Sequence, residues 1–107
     1  MKYAHSMLLS ALLAFTVAGT APQKVHAHLF GRCSHHQNAE VKIKSCLAAT
    51  RLTASPTVLH WVYREMARAH RERGEISQAI VGYLHALAAR DREAVRQEME
   101  QLLALSH

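Results

Sequence analysis

Aromatic residues are scarce: one Trp, three Tyr and two Phe in 107 residues. Glycine and proline are scarce as well, at four and two. A β-sandwich needs many turns and many β-branched or aromatic residues, so this composition excludes it. The length excludes a multidomain enzyme with a large enclosed cleft and allows one small domain. No Gly-rich phosphate loop is present, and no apolar run reaches the roughly 20 residues of a stable membrane span. What remains is dominated by Ala, Leu, Arg and Glu, all helix formers, and predicts an all-α fold.

The chain opens on Met1-Lys2, a short positive start, followed by the twelve-residue apolar run from Met7 to Ala18. Gly19, Thr20 and Pro22 interrupt it, and Val25-His26-Ala27 places small residues where a signal peptidase reads them. This is the three-part layout of a secretory signal peptide over residues 1–27. A cut after Ala21 is the alternative, with Pro22 directly following it; the cut after Ala27 is preferred. Cleavage at Ala27 removes Lys2 and Lys24 and leaves 11 basic and 8 acidic side chains, a net charge of +3 against +5 for the whole chain. That is too little to argue for nucleic acid.

Two cysteines, Cys33 and Cys46, allow one bridge, one thiol pair or part of a metal site. Export favours the bridge, which would close a loop of about 14 residues and add about 3 kcal/mol in the chain-entropy view. Residues 28–37 are polar, include Gly31 and lack a clean period, so they read as a flexible arm. From Asn38, a capping residue, Ile43, Cys46, Leu47 and Thr50 recur at helical spacing, with Val41 on the flank.

Ser55-Pro56 opens a second helix to about Arg73, with Leu59, Val62, Tyr63, Met66, Ala67 and His70 on its inner face. Gly74 stops it. A third helix to Arg90 is expected to bury Ile76, Ala79, Ile80, Tyr83, Leu84, Ala86 and Leu87. A joint at Asp91 leads into a last helix whose stripe is Val95, Met99, Leu102 and Leu103, with Arg96 and Glu100 spaced as a pair.

Tyr63, Met66-Ala67, His70, Gly74, Ala79, Tyr83 and Ala86-Leu87 stand at the offsets of a tetratricopeptide repeat, over about residues 57–91. The chain resembles that family. Ala67 and Ala79 let two helices approach, Gly74 permits the turn and Tyr83 fills the gap beyond. His70 stands in place of the usual tyrosine and Asp91 in place of a common proline, and one clear copy is present. The cysteine-bearing helix placed just before the repeat is similar to the layout of small exported tetratricopeptide-repeat proteins of alphaproteobacteria. The resemblance implies a short antiparallel helical array over residues 38–107. One tetratricopeptide-like pair would be flanked by a disulfide-linked helix and a C-terminal capping helix.

Such repeats carry no chemistry of their own. The expected function is protein or peptide binding by an exported, periplasmic or secreted module, with no catalytic residues, cofactor, metal or nucleic-acid partner. Self-association through the last helix is a further expectation. Arg64, Arg68 and Arg71, with His70, form a candidate binding surface for an acidic partner. Two alternatives belong to other classes. One is a copper- or zinc-handling arm built from His28, Cys33, His35 and His36, although these lack paired-ligand spacing. The other is a docking subunit of an envelope enzyme. His60, His70 and His85 have no serine or thiol nucleophile beside them in the pattern once the cysteines are bridged.

Overall fold

The computed structural model describes residues 22–106, with side chains from residue 27 onward. Residues 1–21 of the proposed signal segment, with the alternative cut after Ala21, lie outside them, whereas the preferred cut after Ala27 falls within them. Among the described residues the chain forms five helices and no strand. They are α1 (Pro22–His35), α2 (Ala39–Ala49), α3 (Pro56–Glu72), α4 (Ile76–Ala89) and α5 (Glu93–Leu105). The fold is all-α, as composition predicts.

Local chemistry sets most of the boundaries. The Asn38 carboxamide oxygen accepts from the Val41 N–H at 3.1 Å and starts α2. Ser55 does the same for α3 through Val58 N–H, with Pro56 as the first helical residue, where its missing N–H costs nothing. At the end of α3 the Glu75 N–H reaches back to the His70 carbonyl and the Gly74 N–H to that of Arg71, both at 2.9 Å. That six-to-one and five-to-two pairing is the Schellman closure, and it requires the left-handed backbone that Gly74 adopts at φ +75°. The chain therefore reverses within three residues and sends α4 back along α3.

Helix α3 is a shared wall between two apolar clusters. On one side Ala67 joins Ala79, Tyr83 and Ala86 of α4 and Val95 and Leu102 of α5. On the other, Val62 and Met66 join Cys33 of α1 and Cys46 and Ala49 of α2. Tyr63 touches both clusters. The α3–α4 contact is close because small residues meet: Gly82 of α4 lies against the backbone and side chain of Ala67.

Cys33 and Cys46 form a disulfide, wholly buried at 0% exposure, which fastens α1 to α2. Phe30 of α1 also packs against Trp61 of α3, ring centres 6.5 Å apart. These contacts correct the expectation of a flexible arm: residues 28–35 are helical. The pattern hid the helix because only Phe30 and Cys33 of this stretch face the core, and tertiary packing outweighs the modest cost of Gly31.

Other expected positions shift by a fraction of a turn. Leu47 and Leu84, expected on inner stripes, are half exposed, and Leu103 is partly exposed. Ser45, His60 and Gly82, absent from those stripes, are buried. Arg96 pairs with Asp91 and Glu93 rather than with Glu100.

Candidate functional site

Helices α2, α3 and α4 leave an open groove of about 560 Å³ between them. Ile43 and Leu47 form the α2 wall, and Tyr63, Met66 and His70 come from α3. The α4 wall consists of Ser77, Gln78, Val81, Gly82 and His85. Periodicity explains the convergence: 63, 66 and 70 share one face of α3, and 78, 81, 82 and 85 share one face of α4. The imidazole of His85 stacks on the Tyr63 ring, centres 4.8 Å apart and planes 18° apart, which makes an aromatic panel across the α3–α4 seam.

His70 lines the groove and also clasps the turn. Its Nδ1–H donates to a Glu75 carboxylate oxygen at 3.0 Å, closing side chains over the same reversal that the backbone makes. Among the groove-lining residues there is no lysine, arginine, aspartate or glutamate. The groove thus offers apolar contact, an aromatic panel and a few neutral polar groups. It does not bring a nucleophile beside a base: Ser77 is its one hydroxyl of that kind, and the side-chain bond that His70 makes is with Glu75.

None of the α3 arginines Arg64, Arg68 and Arg71 lines the groove. Arg68 makes two hydrogen bonds of 2.9 Å to the Glu98 carboxylate on α5 and lies 3.7 Å from Glu65. Arg71 is 3.8 Å from Glu98, and Arg64 donates to Glu65 at 3.4 Å. Lys42 of α2 completes the chain with a 3.0 Å bond to Glu65. The Glu98 hydrogen bonds, only partly countered by burial, raise the Arg68 guanidinium above its ordinary value. Burial first, then the negative charge of Glu98, raises the Tyr83 hydroxyl. Arg64, Arg68 and Arg71, the candidate binding surface, are thus engaged with acidic side chains in a network that ties α2, α3 and α5 together. His70 instead lines the groove.

His60 is the buried histidine that sequence reasoning missed. It is 3% exposed, and its Nδ1–H donates to the Ala86 carbonyl at 2.8 Å while Nε2 has no partner. Its signal was its place, seven residues before Ala67 on the same face of α3. Of the signature residues, Met66, Ala67, Ala79, Tyr83 and Ala86 are buried, and Tyr63 and His70 are half-buried.

His28, His35 and His36 border one shallow hollow with Gly31 and Arg32 without converging on a common point. His35 contacts the Ser34 hydroxyl, His36 accepts the Asn38 N–H, and both cysteines are committed to the bridge. Among the described residues no three His, Cys, Asp or Glu side chains come together as a metal-binding group, and no helix is long and apolar enough to cross a membrane. Comparison with protein-family models, curated proteins and solved structures finds no match to this chain.

Proposed function

We propose that the chain is a non-catalytic interaction module that holds another polypeptide in the groove between α2, α3 and α4. The observation that carries this reading is a preformed, charge-free groove walled by three helices and floored by Tyr63, Met66 and Gly82. Binding sites of this kind are concave and mostly apolar, with a few polar groups that fix orientation. The α3–α4 pair supports a tetratricopeptide-like unit: its small residues meet at Ala67 and Gly82, and its turn depends on Gly74. Helices α2 and α5 then take the part of caps on either side of the pair.

Export to the periplasm or the exterior belongs to the same reading. The charged start, the short apolar run and the small residues at Ala21 and Ala27 support it, and so does a buried disulfide, which persists in oxidising compartments. Cleavage after Ala27 would shorten α1 at its beginning but keep Phe30 and Cys33. Mass measurement of the secreted product reads the cut directly.

A photo-crosslinking amino acid at Gln78, inside the groove, tests the binding role against one at Arg64, which does not line it. The expected result in intact cells is a partner adduct from position 78 that disappears with Leu47→Glu. Equal adducts from both positions would refute the groove as the binding surface.

A further inference from the structure

The hollow on α1 has a volume of about 380 Å³ and is bordered by Ala27, His28, Gly31, Arg32, His35 and His36. All six are exposed, whereas Phe30 and Cys33 of the same helix pack inward. Helical spacing puts 28, 31, 32 and 35 on one face. The sequence of α1 contains no aspartate or glutamate, and no carboxylate borders the hollow. Arg32 takes part in none of the ion pairs among the described residues.

The dipole of a helix favours cations in its last turn, so Arg32 and His35 alone have an explanation in the fold. Gly31 has none. It stands inside the helix, where glycine is a poor helix former. Its φ is not positive, and a Cβ placed on it would meet nothing within 4 Å. Neither a turn nor close packing asks for glycine here. What its bare Cα does is keep the hollow open between His28 and His35.

We propose that this hollow seats a phosphate group, with Arg32 as its charge partner, His28, His35 and His36 as hydrogen-bond donors, and Gly31 as the floor. The donor set selects an oxyanion. Arg32 is a permanent cation whose planar fork matches phosphate oxygens, and it repels a metal ion that imidazoles alone would attract. The His36 Nδ1 accepts the Asn38 N–H at 3.0 Å, so the neutral ring carries its proton on Nε2 and donates from there. The four side chains border the hollow without meeting at one point, which suits a ligand with several oxygens better than a single ion. Either cleavage position keeps all of them in the chain.

Inorganic phosphate titrated into the disulfide-bonded chain at neutral pH and constant ionic strength, followed through the imidazole NMR signals, tests the site. Saturable shifts are expected at His28, His35 and His36, and none at the buried His60. Arg32→Gln should weaken binding at least about fivefold. Arg51→Gln removes the same charge from an exposed position outside the hollow and should leave binding unchanged. Gly31→Leu puts a good helix former in place of a poor one, so the variant should melt no lower than wild type while its side chain fills the seat and abolishes the shifts. Gly31→Gln replaces it if the leucine chain aggregates. Co-sedimentation with phosphatidylcholine vesicles, with and without phosphatidic acid, identifies the source of the phosphate. Retention that needs phosphatidic acid and is lost in Arg32→Gln and Gly31→Leu makes it a lipid headgroup; saturable shifts without retention make it a soluble phosphate. Neither shifts nor retention, an equal loss in Arg51→Gln, or full binding by Gly31→Leu overturns the proposal.

Discussion

Gly82 lies so close to Ala67 that a Cβ added to it would come within 2.8 Å of the Ala67 Cβ and 3.0 Å of its Cα. Both obstructing atoms are held by the α3 backbone and cannot swing aside. Gly82→Ala should therefore destabilise the protein by about 1–3 kcal/mol through overpacking, although alanine is the better helix former by about 1 kcal/mol. Ala67→Gly in the same chain removes the nearer of these atoms, the Cβ, and should recover part of the loss. A double-mutant cycle by urea unfolding reads the coupling, and additive effects would show that α3 and α4 do not meet at this point.

Gly74 is a different kind of glycine. Nothing lies within 4 Å of a Cβ placed there, so only its φ of +75° constrains the residue. Gly74→Ala should cost about 1 kcal/mol, Gly74→Asn less and Gly74→Val more, following each side chain's tolerance of the left-handed region. Melting temperatures that fail to follow this order would place the strain elsewhere.

These two glycines show where sequence reading succeeds. Gly74 was legible because it follows a periodic run and precedes another, and the turn chemistry is local. The Asn38 and Ser55 caps were legible for the same reason, and so were the approximate limits of α2 to α5. Gly82 was not, because its necessity arises from a neighbour fifteen residues away. Helix α1 was missed since half of its evidence lies in Trp61 and Cys46, on other helices. The pairing of Arg68 and Arg71 with Glu98 was not legible, because Glu98 arrives from α5, thirty residues beyond Arg68. Leu47, Val81 and Leu84 look like core residues on any hydropathy scale. Only packing reveals that among the described residues they stand about half exposed.

The bridge between Cys33 and Cys46 should leave no thiol reactive toward Ellman's reagent in the native oxidised protein. Replacing both cysteines by serine removes the cross-link from the unfolded chain's entropy, at a cost of about 3 kcal/mol for a loop of this size. Phe30 depends on that tether to remain against Trp61, the one tryptophan in the chain. The double variant should accordingly show red-shifted tryptophan emission at temperatures where α3 and α4 are still helical by circular dichroism. Unchanged emission would mean that α1 stays docked through packing alone.

Glu98 makes the stability of the α3–α5 contact depend on acidity. Burial pushes its carboxyl up, but the hydrogen bonds from Arg68 and the positive charges of Arg68, Arg71 and Arg64 outweigh that, leaving it below its ordinary value of 4.5. A carboxylate depressed in the folded state contributes stability that is present in full above its unfolded value. That contribution is lost as pH falls through the lower, folded value. Glu98→Gln should cost about 1 kcal/mol at pH 7, the scale of a partly exposed two-point arginine pair. The gap in melting temperature between wild type and variant should hold steady from neutral pH down to about 5 and then close as acid titrates the folded carboxylate. A Glu98→Gln difference that persists unchanged well below pH 4.5 would mean that shape, and not ionisation, holds α5 to Arg68.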